Sequence, residues 1–296
     1  MGVRNLSVMC LGVAMVTAAG CGQDFEPRTL LNKLTVLALF SEPIEAVGDE
    51  EVRLTARIFA PPGDELVEEE WRFCPLTAGA QAGYRCLLPA CEQALESEAA
   101  GRARVNPWQL GQACLAVLAA GGGAQDLEGA ALGELPEPLE TVVFYRARSA
   151  SGEEREAVLR LPLYLGEGPR ERNRHPEFLG VAFDGGDLVA PAELAGHVLP
   201  AMAGRGEVEI LVVIDEESLD EYRDEADRLR VEEPVVSFYA TVGRFEWERG
   251  AGTEIENRWK ARRLEEGDEE AELYFVVRDL RGGQAVVGPT RIPLEP

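Results

Sequence analysis

The residues of this chain best suited to covalent chemistry are its cysteines, and their positions place them in two groups. Cys21 follows three small residues at the end of the first apolar run, "MVTAAGCGQD". A second group lies close together in the first half of the chain: Cys74, Cys86, Cys91 and Cys114. A cysteine thiol can be acylated, oxidised to a disulfide or bound to a metal, and the compartment in which the protein folds decides among these outcomes.

Residues 1–21 are predicted to be a lipoprotein signal peptide. Arg4 gives a positive start, and the apolar stretch from Leu6 to Ala18 is shorter than the roughly 20 residues that a membrane-spanning helix needs. The segment resembles a bacterial lipobox, although lipoboxes usually have leucine where this chain has Ala18. The resemblance implies that Cys21 receives a diacylglycerol, often with a further acyl chain such as palmitate, and attaches the protein to a membrane. The alternatives are an ordinary signal peptide and an uncleaved anchor.

The four clustered cysteines are predicted to form two disulfides. Cys10 leaves with the signal peptide and Cys21 carries lipid, so an even number of cysteines remains in an oxidising compartment. Their spacing does not match two C-x-x-C zinc hooks, and zinc is the less favoured alternative. Three pairings are open. We favour the one that closes two compact loops: Cys74 with Cys86, and Cys91 with Cys114.

Few other residues of the sequence indicate catalysis or metal binding. His175 and His197 are the only histidines, and the chain has no H-E-x-x-H or G-x-S-x-G motif. We therefore predict that the protein is not an enzyme and has no cofactor. A hydrolase built from some of the 53 Asp and Glu residues is the alternative. Asp184 and Asp187 could hold Ca²⁺, but a tight turn is the favoured explanation of "FDGGD", so no metal is predicted.

The composition excludes several classes of partner. The chain has 296 residues and a formal net charge of -24, which opposes binding to nucleic acid or to an anionic lipid surface. Its hydrophobic content of 46% is that of a globular protein rather than a disordered one. The body is therefore expected to be a soluble folded unit that its lipid end holds at a membrane.

The pattern of the body predicts antiparallel β-structure. Residues 52–58 alternate between apolar and polar side chains, as in a strand with one buried face. The runs "ETVVFYRARS" and "EAVLRLPLYL" flank the turn "SGEE" and predict a hairpin. The second half repeats this pattern of strands in three segments: "GEVEILVVID", "EPVVSFYATVGRF" and "AELYFVVRDLRGGQAVVGPTRIPL".

The two halves also match at single positions. A constant shift of 130 positions aligns Phe144 with Tyr274, Arg148 with Arg278 and Gly152 with Gly282. This match favours a duplicated module, with a generic hairpin as the alternative. Between the two copies lies a stretch rich in Gly, Pro and charge, residues 167–177, which we predict to be a linker.

The order of these segments resembles the multi-module lipoproteins of myxobacterial Gram-negative bacteria, whose bodies are similar to immunoglobulin-like domains. The resemblance rests on the lipobox and on "LTVLALFSEPIEAVGDEEVRLTA", "WRFCP", "VSFYATVGRF" and "VVRDLRGG". It implies seven-stranded sandwiches in which Trp71 and Phe238 occupy comparable core positions. It implies no catalytic residue.

We therefore predict a mainly β protein with two immunoglobulin-like antiparallel β-sandwiches. A tether at 22–32 leads to a first sandwich at 33–166, and the linker leads to a second sandwich at 178–296. Residues 76–138 are too long for one connection between strands, and we predict that they form a helical, disulfide-containing insertion in the first sandwich.

Three helices are predicted. One begins at Asn106 and Pro107 and ends at Gly121, and another spans "PACEQALESEAAG". In the second half, "SLDEYRDEADRL" begins with Ser218 and Glu221 at capping-box spacing and predicts a helix.

The function that follows is that of a lipid-anchored protein of the cell envelope, expected at the outer membrane, with a binding, adhesion or structural role. Its expected partners are the membrane, through the lipid on Cys21, and an envelope protein or glycan. The alternative is a carboxylate-based hydrolase, or an accessory subunit, that acts on envelope polysaccharide.

Overall fold

The computed structural model describes residues 28–120, 138–169, 171–203, 206–223, 228–261 and 269–295. The predicted signal peptide, Cys21 and most of the tether lie outside these ranges. The described chain is mainly β, as predicted, and none of its helices is long and apolar enough to cross a membrane.

The first sandwich consists of two sheets that enclose one apolar core. Its strands are β1 (Thr35–Glu42), β2 (Ala46–Val47), β3 (Val52–Phe59), β4 (Leu66–Cys74), β5 (Gln93–Leu95), β6 (Ser97–Ala99), β7 (Arg102–Val105), β8 (Leu139–Ser149) and β9 (Glu154–Tyr164). One sheet has the order β1-β3-β7-β6 and the other β2-β9-β8-β4-β5. The alternation predicted in β3 is confirmed, since Val52 and Leu54 are buried while Arg53 and Arg57 are exposed.

The second sandwich repeats this topology. Its strands are β10 (Phe178–Phe183), β11 (Met202–Ala203), β12 (Glu207–Ile214), β15 (Val235–Ala240), β16 (Arg244–Phe245), β17 (Arg249–Ala251), β18 (Glu254–Lys260), β19 (Glu270–Arg278) and β20 (Gln284–Glu295). The sheets have the orders β10-β12-β18-β16 and β11-β20-β19-β15-β17. In both sandwiches a two-residue strand pairs in parallel with the last strand, as β2 does with β9 and β11 with β20. A short helix, α2 (Pro191–Leu194), precedes β11.

The shared register confirms that Trp71 and Phe238 occupy comparable core positions. Trp71 pairs across the sheet with Tyr145, and Phe238 pairs with Phe275. The ring centroids are 4.5 Å apart in the first pair and 6.0 Å apart in the second. All four rings are buried, so each sandwich is centred on one aromatic pair that joins equivalent strands.

Two core tryptophans give a first prediction. The Trp259 Nε1–H donates to the Val242 carbonyl at 3.0 Å, whereas the Trp71 Nε1–H is buried with no acceptor among the described residues. Trp259→Phe should therefore lower the free energy of unfolding by about 1–2 kcal/mol more than Trp71→Phe, because it removes a hydrogen bond to the partly buried Val242 carbonyl, whereas Trp71→Phe removes none. Urea denaturation of both variants measures this difference. An equal loss in the two variants would contradict it.

Two of the predicted helices are wrong. Residues 89–101 form a 3₁₀ turn at Pro89–Cys91 followed by strands β5 and β6. The next strand, β7, pairs with β3 and buries Ala103 and Val105 in the first core, so part of the predicted helical insertion belongs to the sandwich itself. Sheet pairing therefore prevails over the local helical pattern.

The segment 218–229 also differs from the prediction. The described parts form the strands β13 (Glu221–Arg223) and β14 (Leu229–Val231), which pair with each other. The Ser218 hydroxyl accepts the Glu177 N–H at 2.9 Å and donates to the Asp215 carbonyl at 2.6 Å, so it does not cap a helix. A contact with the chain that enters the second sandwich prevails over the capping pattern.

The third helix is confirmed as α1 (Pro107–Ala120). The Asn106 Oδ1 accepts the Gln109 N–H at 2.9 Å, as an N-cap residue does. Its predicted end at Gly121 lies outside the described residues.

Candidate functional site

The four clustered cysteines form two disulfides in the favoured pairing. Cys74 is bonded to Cys86 and Cys91 to Cys114, with Cα atoms 5.6 Å and 4.9 Å apart. Cys74 ends β4, and Cys114 lies on α1, so the bridges tie the segment between them to a core strand and to the helix. We call residues 75–92, with both bridges, the stapled insertion.

A surface groove of about 570 Å³ lies between the stapled insertion and the outer face of the first sandwich. Arg72 lies within it, 5.3 Å from the ring centroid of Phe144, and pairs with Glu92 and, at 2.7 Å, with Glu156. Leu87, on its rim, is 58% exposed. The groove thus combines apolar side chains, among them Leu87 and Phe144, with an Arg–Glu cluster.

The predicted linker makes contacts with both sandwiches. Arg172 pairs with Glu50 at 2.9 Å, and Arg174 pairs with Asp220 at 2.7 Å. Asn173, between them, is 6% exposed. Residues 172–174 are therefore held at the junction, and we call the contact zone of the two sandwiches the joint.

At the joint, the second sandwich supplies donors to the free edge of β1. The Arg278 guanidinium donates to the Leu37 carbonyl at 2.7 Å, and the Gln284 amide donates to the Leu39 carbonyl. His175 then bridges the two sandwiches, because its Nδ1 accepts the Gln284 N–H at 3.1 Å while its Nε2 lies 3.1 Å from the Ser41 carbonyl. The first bond makes Nε2 the protonated nitrogen, so the ring is a structural bridge.

An apolar patch completes the joint. Leu31 and residues of β1 and β3 pack on the outer face of the β15-β19-β20 sheet. The buried members of this patch are Leu31, Leu37, Ala38, Phe59 and Val276, and its margin consists of Phe40, Tyr239, Tyr274 and Val286. Phe59 and Tyr274 meet edge to face at 6.1 Å. The contact therefore combines buried apolar surface with hydrogen bonds between the two sandwiches.

The turn between β19 and β20 is organised by one buried carboxylate. Asp279 accepts the backbone N–H groups of Arg281, Gly282 and Gly283 at 2.7–2.9 Å, and the Asn173 amide at 2.9 Å. A Cβ at position 283 would lie 2.1 Å from the carboxylate, so only glycine fits there. The "DLRGG" segment, part of one of the stretches on which the resemblance rests, therefore forms a turn that its own carboxylate holds together.

Glu232 is a second buried carboxylate beside this turn. Glu232 is 4% exposed, and its side chain accepts the Asp220 N–H at 3.0 Å and pairs with Arg281 at 2.7 Å. Burial raises the pKa of Glu232, and the neighbouring Asp279 raises it further, while the hydrogen bond from Asp220 and the charge of Arg281 oppose the rise.

A second prediction concerns the pH dependence that Glu232 confers. The folded protein binds the proton of the Glu232 carboxyl group more tightly than the unfolded chain does, so protonation of this group stabilises the fold. This contribution is complete below the ordinary Glu pKa and is lost as the pH rises through the raised pKa of Glu232. The stability of the wild type relative to Glu232→Gln should therefore fall as the pH rises. Urea denaturation between about pH 4 and pH 7 measures this difference. The exposed neighbour Glu233 provides the matched control, Glu233→Gln, and a difference that grows with pH would contradict the prediction.

The remaining predicted candidates serve the fold. Asp184, at a positive φ of 50°, accepts the Glu209 N–H at 2.9 Å, and Asp187 is exposed, which agrees with the tight turn. Among the described residues, no group of three or more His, Cys, Asp or Glu side chains is arranged to hold a metal ion. His197 stacks on Phe183 with the ring centroids 5.8 Å apart.

One exposed aromatic residue was not singled out by the sequence. Trp247 is 63% exposed, and its backbone is held by Asn257, whose amide accepts the Trp247 N–H at 3.2 Å and donates to its carbonyl at 2.8 Å. It borders a groove of about 460 Å³ on the outer face of β12 and β18. The sequence shows the tryptophan but not that it faces solvent.

Comparisons with known proteins give only distant similarity. No protein-family model and no curated protein matches the chain. Among solved structures, the D00-D0 domain of intimin is 7% identical and has a TM-score of 0.24, with 89% of this chain and 99% of that chain covered. Fibronectin(III)-like modules of Clostridium thermocellum CbhA are 9% identical, with a TM-score of 0.24 and coverage of 87% and 94%. Identities and TM-scores of this size establish no shared function.

Proposed function

We propose that this protein is a lipoprotein of the cell envelope, anchored by lipid on Cys21, with a non-enzymatic binding, adhesion or structural role. In this proposal the two sandwiches are immunoglobulin-like modules of the kind found in myxobacterial multi-module lipoproteins, and the anchor lies in the outer membrane. The partner is an envelope protein or a glycan.

The observation that carries the proposal is the pair of disulfides. They use all four cysteines that remain once Cys10 and Cys21 are assigned to the signal peptide and the lipid. Disulfides of this kind form in oxidising compartments outside the cytosol, which is where a lipobox directs a chain. Cys21 is then left without a partner thiol and is available for acylation.

The placement of the polar groups supports a role in binding rather than catalysis. The buried acids Asp279 and Glu232 are engaged by backbone N–H groups and by Arg281, and His175 bridges the joint. The groove at the stapled insertion is the surface that we propose for the partner.

Metabolic labelling with palmitate tests the anchor. The wild-type chain, expressed in a Gram-negative host, should incorporate label and sediment with membranes, whereas Cys21→Ala should lose both properties completely. Cys10→Ala is the matched control, because that cysteine is predicted to leave with the signal peptide, and it should label like the wild type. A wild-type chain that takes up no label would refute the anchor.

A further inference from the structure

The first described residues of the chain belong to the second sandwich, not the first. The Leu31 N–H donates to the Ala240 carbonyl at 2.8 Å, and the Ala240 N–H donates to the Thr29 carbonyl at 3.1 Å. Leu30 and Ala240 form a parallel bridge, so residues 29–31 lie as an added strand beside the end of β15. We call these three residues the strap.

The strap is firmly packed. Leu31 is 2% exposed and belongs to the apolar patch of the joint, together with Val276 of β19 and Phe59 of β3. Releasing the strap would expose Leu31 and leave two backbone groups of Ala240 without partners. The strap therefore fixes the amino-terminal end of the chain to the second sandwich.

Chain length then limits where a lipid on Cys21 can lie. Arg28 lies seven residue steps after Cys21, and an extended chain spans at most about 3.6 Å per step, which gives roughly 25 Å. A bilayer that holds this lipid must therefore pass close to the strap and β15, although β15 comes late in the sequence.

The stapled insertion lies at the opposite end of the first sandwich. The chain enters that sandwich at Leu34, whose N–H donates to the Glu153 carboxylate at 2.8 Å. Glu153 lies in the turn between β8 and β9. Cys74 pairs with Val142 at the other end of the same sheet. Val142 and Ser149 lie seven residue steps apart on β8. At roughly 3.3 Å per step, the insertion therefore begins about 23 Å from the turn between β8 and β9.

We infer that the anchored protein faces the bilayer with the strap and the adjoining edge of its second sandwich, formed by the end of β15 and by β17 and called here the β15 edge, and presents the stapled insertion on the side away from the membrane. The inference rests on the proposed lipidation of Cys21. Charge plays no part in this contact, since an acidic chain is not attracted to an anionic surface. The lipid and the short tether alone hold the edge near the bilayer.

Short-range fluorescence quenching tests this orientation. A fluorescent amino acid is placed either at Trp247, near the β15 edge, or at Leu87, on the stapled insertion; these side chains are 63% and 58% exposed. The acylated protein is reconstituted in phosphatidylcholine vesicles that contain lipids with a nitroxide headgroup. Quenching at position 247 should exceed quenching at position 87 at least threefold. Equal or reversed quenching would overturn the inference.

A variant with a longer tether provides the control. Twenty Gly and Ser residues inserted after Asp24 leave the described residues unchanged, and the difference between the two positions should then disappear. A difference that persists would show that something other than tether length sets the orientation, and would also overturn the inference.

Failure of the proposed lipidation is distinguishable from failure of the orientation. Mass spectrometry of the purified chain first reports whether Cys21 carries lipid. If it does not, a maleimide lipid is coupled to Cys21 of the mature chain, whose other cysteines are held in disulfides, and the same two positions are compared. Preferential quenching at position 247 would then support the geometry while the natural anchor is refuted.

Discussion

Asp279→Ala is expected to lower the free energy of unfolding by about 3–5 kcal/mol. Asp279 is 3% exposed and accepts three backbone N–H groups and the Asn173 amide. Removal of the carboxylate leaves these donors without acceptors; the Gly283 and Asn173 donors are buried and the other two partly buried, and each buried unsatisfied group costs roughly 1–3 kcal/mol before relaxation. The loss should be measured by urea denaturation.

Two further variants separate this effect from the loss of one negative charge. Asp187→Ala removes an exposed aspartate and should change stability by less than about 0.5 kcal/mol. Asp279→Asn keeps one carbonyl oxygen and should fall between Asp279→Ala and the wild type. A loss below about 1 kcal/mol in Asp279→Ala would show that the turn does not depend on the carboxylate.

Removal of either disulfide is expected to lower the free energy of unfolding by about 3 kcal/mol. The sequence separation is 12 residues for Cys74–Cys86 and 23 for Cys91–Cys114. Because loop-closure entropy grows with the logarithm of loop length, the double variant Cys91→Ala/Cys114→Ala should lose about 0.5 kcal/mol more than Cys74→Ala/Cys86→Ala.

Denaturation of the two double variants, with and without reductant, measures both effects. Reductant should lower the free energy of unfolding of the wild type. It should also lower that of each double variant, because each retains one disulfide that reductant can break. A wild type that unfolds at the same urea concentration in both conditions would contradict a stabilising role for the bridges. It would also weaken the argument that the chain folds in an oxidising compartment.

The strands and the disulfides could be predicted from sequence because their signals are local. Alternation in β3 and the turn between β8 and β9 lie within single short windows. The two predicted helices that failed were also supported by local patterns, but β5 pairs with β4, and Ser218 bonds to Glu177. In both cases a partner far along the chain decided the structure.

The joint could not be predicted from sequence for the same reason. The bond between His175 and Ser41 joins residues 134 positions apart, and the bond between Gln284 and Leu39 joins residues 245 positions apart. Without aligned relatives, a single sequence contains no signal that pairs such distant polar groups. The turn at Asp279 is partly an exception, because the match of Gly282 to Gly152 indicates a turn, but no sequence signal indicates the bond from Asn173, 106 positions away.

The correspondence between Phe144 and Tyr274 also has a structural consequence. Tyr274 lies on the outer sheet face of the second sandwich, which the first sandwich covers, whereas Phe144 lies on the equivalent face of the first sandwich, beside Cys74, Cys86 and Tyr84. The cystine loop thus occupies the place that a preceding module would take. In the first sandwich this loop therefore shields from solvent the sheet face that the joint shields in the second sandwich.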